Sequence, residues 1–253
     1  MIDLHCHVLP GIDDGPPTIE AALDLARDAQ RDGITTIAAT PHIHPEYPNN
    51  DAALVWARIV ALQPRLDAAG IAVKLVPGGE VDALHALVLA DEELRALHLG
   101  GGPWLLLECP LSSIAAPAFI PTAKALAARG HKLLLAHPER SPVFLPHPER
   151  LDELVNQHGM LAQVTAGSLS GQFGRTVREV AHRMLETRSV HVAASDGHGA
   201  HRPATIAREL EQAGVEPHLT AWLAHDVPNA ILTGAQPPAA PEPRRPRRRL
   251  FGR

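Results

Sequence analysis

The stretch Met1-Ile2-Asp3-Leu4-His5-Cys6-His7-Val8-Leu9-Pro10-Gly11-Ile12-Asp13-Asp14-Gly15 decides how the chain is read. Residues 2–5 form a short strand, and side chains repeat every two residues along a strand. His5 and His7 therefore leave its carboxyl end on one face, and a loop bracketed by Pro and Gly then delivers Asp13 and Asp14. Two imidazoles so placed make a pincer for a metal ion. One His-x-His pair is weak on its own, so the reading rests on how the later strands end.

Further short apolar runs lie at 35–40, 72–78, 104–109, 132–137, 161–165 and 190–195. Between them sit Ala- and Leu-rich amphipathic stretches at 18–31, 51–69, 116–128, 148–157, 175–186 and 204–213, while 81–99 reads as one or two helices with a loop. The strands are apolar throughout, the mark of a parallel sheet buried on both faces. Thr18 is placed as an N-cap, and Gly33, Gly70 and Gly130 fall where helices end. Seven β/α units predict a closed barrel or a large open sheet, and both put the site at the carboxyl ends of the strands. Residues 1–235 read as one domain, and the Pro- and Arg-rich segment 236–253 as a disordered tail.

Aromatic residues are only 3% of the chain, so a core of Ala, Leu, Val and Ile is expected. Two cysteines, Cys6 and Cys109, make no disulfide framework. No apolar run is long enough for a membrane span, and Met1 leads straight into a strand, so a soluble cytoplasmic protein is expected. The net charge of −5 includes six arginines in the last ten residues; without them 17 basic residues face 28 acidic ones, a net −11. A body this acidic is no nucleic-acid binder.

The strand ends carry the chemistry. After His5 and His7 come Thr40-Pro41-His42, Gly79-Glu80, Glu108-Cys109-Pro110, His137-Pro138-Glu139-Arg140 and Asp196-Gly197-His198. Clustered ionisable groups are costly to bury, and divalent cations among them offset that cost. The donors are nitrogen and oxygen, which suits Mn, Zn or Fe without choosing among them. Nine candidate ligands (His5, His7, Asp14, His42, Glu80, Glu108, His137, Asp196 and His198) exceed the needs of one ion, so two or three are expected, with a carboxylate such as Glu80 as the bridge. Such sites support attack of hydroxide on phosphorus. Arg140 and Arg202 follow ligand motifs, and guanidinium forks suit phosphate oxygens. Thiol-based phosphatase chemistry is excluded: it needs Arg six positions after the Cys, and Ile12 and Ala115 stand there. His85, His98, His158, His182, His218 and His225 are read as surface residues, and Trp56 and Trp222 as core.

Taken in order, these motifs resemble the PHP (polymerase and histidinol phosphatase) superfamily. The opening His5-Cys6-His7-Val8-Leu9-Pro10-Gly11-Ile12-Asp13-Asp14-Gly15 is similar to the CpsB-type bacterial metal-dependent protein-tyrosine phosphatases of capsule and exopolysaccharide operons. The resemblance runs to about residue 234. It implies a distorted (β/α)7 barrel with three metals, commonly manganese-activated, acting on the phosphotyrosine tail of a membrane-associated bacterial tyrosine kinase. It implies one ion on His5, His7, Glu80 and Asp196, a second on Glu80, Glu108 and His137, and a third on Asp14, His42 and His198. Arg140 and Arg202 would hold the phosphate, and His198 or His44 would protonate the leaving group. Cys6 and Ile43 depart from the family pattern, which often has Ser and His there. The rival readings are a phosphatase of a small alkyl phosphate such as histidinol phosphate, a nuclease of the same superfamily, and a non-catalytic scaffold stabilised by its metals. Helices on the outside of a barrel also leave room for a homo-oligomer.

Overall fold

The computed structural model describes residues 1–242. Its strands are β1 (Ile2–Cys6), β2 (Thr36–Ala39), β3 (His42–Ile43), β4 (Lys74–Pro77), β5 (Glu80–Asp82), β6 (Trp104–Glu108), β7 (Lys132–Ala136), β8 (Leu161–Thr165) and β9 (Val192–Ala194). All pair in parallel, in the orders β1-β2-β4 and β3-β5-β6-β7-β8-β9.

Two expected strands are each broken in two. Pro41 has no N–H to give a ladder, and it separates β2 from β3. Gly78 and Gly79 separate β4 from β5 where the chain runs too close to its neighbours for side chains: a Cβ on Gly79 would lie 2.8 Å from Ile43 Cγ1. The breaks sit side by side, so β3 and β5 step inward together and put His42 in register with Glu80. Counted as single kinked strands, the two pairs give seven positions around a ring. The ring closes between β9 and β1, where Asp196 N donates to the His5 carbonyl at 2.8 Å and His7 N to that of Gly197 at 2.9 Å. Buried Asp3 clamps the same seam: its carboxylate accepts from His5 N at 3.2 Å and from Ser195 N and Oγ at 3.1 and 2.5 Å. The fold is a distorted (β/α)7 barrel.

The leucines of β6 and β7 are buried, as continuous apolar runs require. Outside them, helix Ile19–Arg31 buries Ala22, Leu25, Ala26 and Ala29 along one face. Its N-cap is Thr18, which accepts from Ala21 N at 3.2 Å, and Gly33 beyond its end has φ 87°. The stretch 204–213 shortens to Ala207–Gln212 because its first turn is capped from across the fold, Asp32 accepting from Ala207 N at 2.7 Å. Two helical segments were not expected: Ala166–Ser170, which is too short to show a periodicity, and the continuous run 217–233, whose middle, Trp222–Asp226, is a π-helix that breaks the 3.6-residue period.

Two surface and core assignments are corrected. Trp56 is 57% exposed, whereas Trp222 is buried as expected. His98 is buried, its ring bonded to Gly102 O at 2.9 Å and to His131 at 3.2 Å. At 236–242 the chain has no regular structure, yet it lies on the barrel: Trp222 Nε1 donates to Pro238 O at 2.9 Å. The rest of the expected tail, 243–253, lies outside the described residues.

His191, just before β9, is held down at about 4 by burial. The unfolded ring titrates near 6.5, so between pH 6.5 and 4 only the unfolded state takes up this proton. Stability falls as pH drops through that window, by about 3 kcal/mol in all at 1.36 kcal/mol per unit. A His191→Gln variant should show a flatter dependence of the urea midpoint on pH than the parent chain; equal slopes would contradict the assignment.

Candidate metal centre

At the carboxyl ends of the strands the structure brings all nine candidate ligands together. Four overlapping sets have donor atoms within 4.8 Å of one another: His5, His7 and Asp196; His5, Glu80 and His137; His42, Glu80 and Glu108; and His7, Asp14, His42 and His198. The groups merge more than the sequence grouping implied, with His42 reaching both Glu80 and Asp14 and His5 reaching His137.

Backbone geometry aims several of these side chains. His137, directly after β7, and Asp196, two residues past β9, have φ 37° and 51°, left-handed conformations that non-glycine residues seldom adopt. Residues at these turns leave the strand direction and point back across the ring mouth. Two further residues orient the imidazoles. Asp13 Oδ2 accepts from His7 Nδ1 at 2.7 Å and also from His42 N at 3.0 Å. Gln163 Oε1 accepts from His5 Nδ1 at 3.0 Å and His137 N at 3.2 Å. Gln163 was missed because β8 has no ionisable end. Its one signal is a buried amide in the middle of Leu161-Ala162-Gln163-Val164-Thr165.

This arrangement calls for cations. With Nδ1 donating outward, His5 and His7 turn Nε2 inward, and the two nitrogens face each other at 3.3 Å. Glu80 Oε2 lies 3.2 and 3.3 Å from them, and Asp196 Oδ1 3.4 and 3.6 Å. His198 Nδ1 donates to the Asp196 carbonyl at 2.9 Å, which leaves Nε2 a lone pair 3.2 Å from Asp14 Oδ1. Buried His198 Nε2 and His137 Nδ1 have no hydrogen-bond partner among the described residues. Lone pairs facing lone pairs and carboxylates are satisfied by a divalent ion, which takes the place of a proton.

The electrostatics agree. Burial opposes charge on His7, yet its bonds to Asp13 and Glu80 lift the imidazole well above its usual range. Burial would likewise raise Glu80, but charge on His5 and the bond from His137 hold it well below the carboxylate range. Glu108 has no such support: burial and then the nearby Glu80 push it up to about 9. Added positive charge among these groups would ionise Glu108 and release the proton from His7.

Both expected phosphate ligands turn to one acid. Arg140 Nη1 contacts Asp196 Oδ2, and Arg202 Nη1 reaches the same oxygen at 3.3 Å. Arg140 is backed by Phe173, its guanidinium carbon 4.4 Å from the ring centroid. Tyr47 stacks on His42 with centroids 5.8 Å apart. Glu139 lies beneath the site, accepting from Ser168 Oγ at 2.7 Å and Thr165 N at 3.0 Å, and burial pushes it up to about 7. Ile43 is a buried core residue packed against Gly79. Cys6 and Cys109 are fully buried, and burial raises both thiols well above their usual range.

The loop that positions Asp13 depends on Gly15. A Cβ there would lie 2.3 Å from the His7 carbonyl oxygen, a backbone atom that cannot step aside. Gly15→Ala should therefore weaken metal retention with little effect on the helices, checked by metal content against far-ultraviolet circular dichroism. Full metal content would contradict this account of the loop.

A parallel α/β barrel whose strand ends gather His, Asp and Glu donors beside two arginines belongs to the class of metal-dependent hydrolases. The chain is a member of the CpsB/CapC family, whose model, described as capsular polysaccharide synthesis, CpsB/CapC, matches residues 1–213. It is 33% identical over 201 residues to the tyrosine-protein phosphatase YwqE of Bacillus subtilis, covering 78% of this chain and 77% of that protein. It is 32% identical over 200 residues to the putative tyrosine-protein phosphatase CapC of Staphylococcus aureus, covering 78% and 77%. Among solved structures it superposes on one from a study of YwqE from Bacillus subtilis and CpsB from Streptococcus pneumoniae, described as unique metal-dependent tyrosine phosphatases. That match has a TM-score of 0.77 at 28% identity and covers 96% of this chain and all of the other.

Proposed function

We propose that this chain is a metal-dependent protein-tyrosine phosphatase whose substrate is the phosphotyrosine tail of a membrane-associated bacterial tyrosine kinase in capsule or exopolysaccharide synthesis. The observation that carries the reading is the facing Nε2 atoms of His5 and His7 at 3.3 Å, inside a ring of carboxylates that two arginines border. His5, His7, Glu80 and Asp196 would hold one ion, Glu80, Glu108 and His137 a second, and Asp14, His42 and His198 a third, with manganese the preferred metal. Bound there, divalent cations supply the Lewis acidity that activates water and neutralises a phosphoryl group.

The chain's own residues do the rest. Arg140 and Arg202, with side chains 13% and 22% exposed, bind the non-bridging phosphate oxygens while keeping their hold on Asp196. Asp14 stands at the more open edge, its side chain 50% exposed and its Oδ1 3.2 Å from His198 Nε2, and there the tyrosyl group leaves. A phenol with a pKa of about 10 departs readily and needs only modest acid assistance. His198, with Nδ1 held on the Asp196 carbonyl and Nε2 turned to the ion, has no proton to spare, which leaves that role to His44. A cytoplasmic location fits this substrate, and among the described residues no helix is long and apolar enough to cross a membrane.

The test is turnover of a phosphotyrosine peptide against histidinol phosphate by metal-stripped protein reloaded with Mn, Zn or Mg. Peptide turnover should vanish on chelation, return most strongly with Mn and ignore thiol alkylation, because both cysteines are buried. Activity on the small phosphate alone would replace the substrate, and activity without metal would end the reading.

A further inference from the structure

A second site lies at the opposite end of the barrel. A cavity of about 560 Å³ opens there, lined by Trp104, Lys132, Leu161, Arg188, His191 and Trp222 and roofed by residues 236–240. Trp104, Lys132 and Leu161 are the first residues of β6, β7 and β8, whose other ends face the metal centre. A five-residue strand separates the two sites by about 13 Å, four steps of about 3.3 Å each. The family match ends at residue 213, so Trp222 and the roof lie beyond the matched region.

The lining offers donors and no acid. Lys132 and Arg188 supply two cations, and no Asp or Glu is among the described residues around the cavity, although the body of the chain is acidic. The buried Nε1 of Trp104 and Nη1 of Arg188 have no hydrogen-bond partner among the described residues, and unsatisfied buried donors are rare. Trp104 is only 4% exposed, so water gives it little relief. His191 Nδ1 accepts from Ala162 N at 3.4 Å, which leaves Nε2–H of the neutral ring as a further donor. Arg188 also has φ 63°, and among the described residues the other two non-glycine residues with positive φ are His137 and Asp196 of the metal centre. Lys132 Nζ stands 5.5 Å from the Trp104 ring centroid, a cation set against an aromatic surface. Leu161, Pro237, Pro238 and Ala239 provide apolar walls. The volume falls within the range of small-molecule pockets, about 300–1,000 Å³.

We infer that this cavity binds a small organic anion, a phosphate or carboxylate group on an apolar or aromatic body. The anion takes Lys132 and Arg188 together with the Trp104 donor, and the body lies along Leu161 and the 236–240 roof. The site is independent of the phosphatase chemistry, sharing no residue with the metal centre.

Tryptophan fluorescence tests this directly, because two of the three tryptophans line the cavity and the third, Trp56, is exposed. In the metal-loaded full chain carrying Trp56→Phe, phenylphosphonate, whose C–P bond the enzyme cannot hydrolyse, and benzoate serve as probes. At least one should change the emission saturably, and which binds tighter identifies phosphate or carboxylate as the preferred group. Lys132→Ala and Arg188→Gln should each weaken binding tenfold or more, while Arg140→Gln at the metal centre should leave it unchanged. Lys132 is exposed, so its variant folds even if Arg188→Gln does not. The proposal is overturned if neither probe gives a saturable change, if Lys132→Ala binds as the parent does, if Arg140→Gln abolishes the signal, or if inorganic phosphate binds as tightly as phenylphosphonate.

Discussion

Replacing Asp196 with Asn should lower kcat/KM for a phosphotyrosine peptide by about 10³-fold or more, a loss on the scale of removing a charge-stabilising group from an active site. The reason is the double use of one carboxylate. Its Oδ1 faces His5 and His7 at 3.4 and 3.6 Å, while its Oδ2 receives both Arg140 and Arg202. Asn is the discriminating replacement because it tolerates the left-handed φ of 51° that Ala resists. The variant should therefore fold, lose metal and leave both guanidinium groups without their anchor. Metal content and kinetics measured on the same preparation decide it: full metal occupancy with activity within tenfold of the parent would remove Asp196 from the centre of the site.

Glu80→Gln should have a comparable effect on activity and a larger one on stability. The carboxylate is 1% exposed and serves four imidazoles: Oε1 meets His137 Nε2 at 2.8 Å, and Oε2 lies 3.2 Å from His5, 3.3 Å from His7 and 3.2 Å from His42. It is the member common to the sets that include His137 and Glu108, so its loss should release more than one ion. A metal present at a thousandfold over its Kd stabilises the folded chain by about 4 kcal/mol. For a chain of this size that corresponds to roughly 10 °C in Tm. Chelation should lower the Tm of the parent protein by that amount, while Glu80→Gln should start near the lower value and barely respond. A variant that keeps the chelator-sensitive Tm would show that Glu80 is not the bridge.

Much of this molecule was legible in the linear chain. The period of two along Ile2–Cys6 places His5 and His7 on one side, and the ends of the apolar runs put Glu108, His137 and Asp196 at or just past strand ends and His42 and Glu80 just past the breaks that follow β2 and β4. Missing arginines after Cys6 and Cys109 ruled out a thiol route, and burial of both thiols is consistent with that. These are local facts, because strand alternation, helix faces and Pro or Gly breaks are set by a few adjacent residues. The kinks at Pro41 and at Gly78-Gly79, the seam clamped by Asp3 and Ser195, and the reach of Gln163 to His5 from across the ring are not local. Nor is the meeting of Arg140 and Arg202 on one oxygen, since they are 62 residues apart in sequence. The cavity beneath the barrel likewise joins strand starts to a segment that reads as plain tail. The sequence by itself determined the class of fold and which residues stand at its mouth. The tertiary structure alone decided which of them touch, because contact across a barrel depends on how the strands tilt, kink and close, and no single segment encodes that.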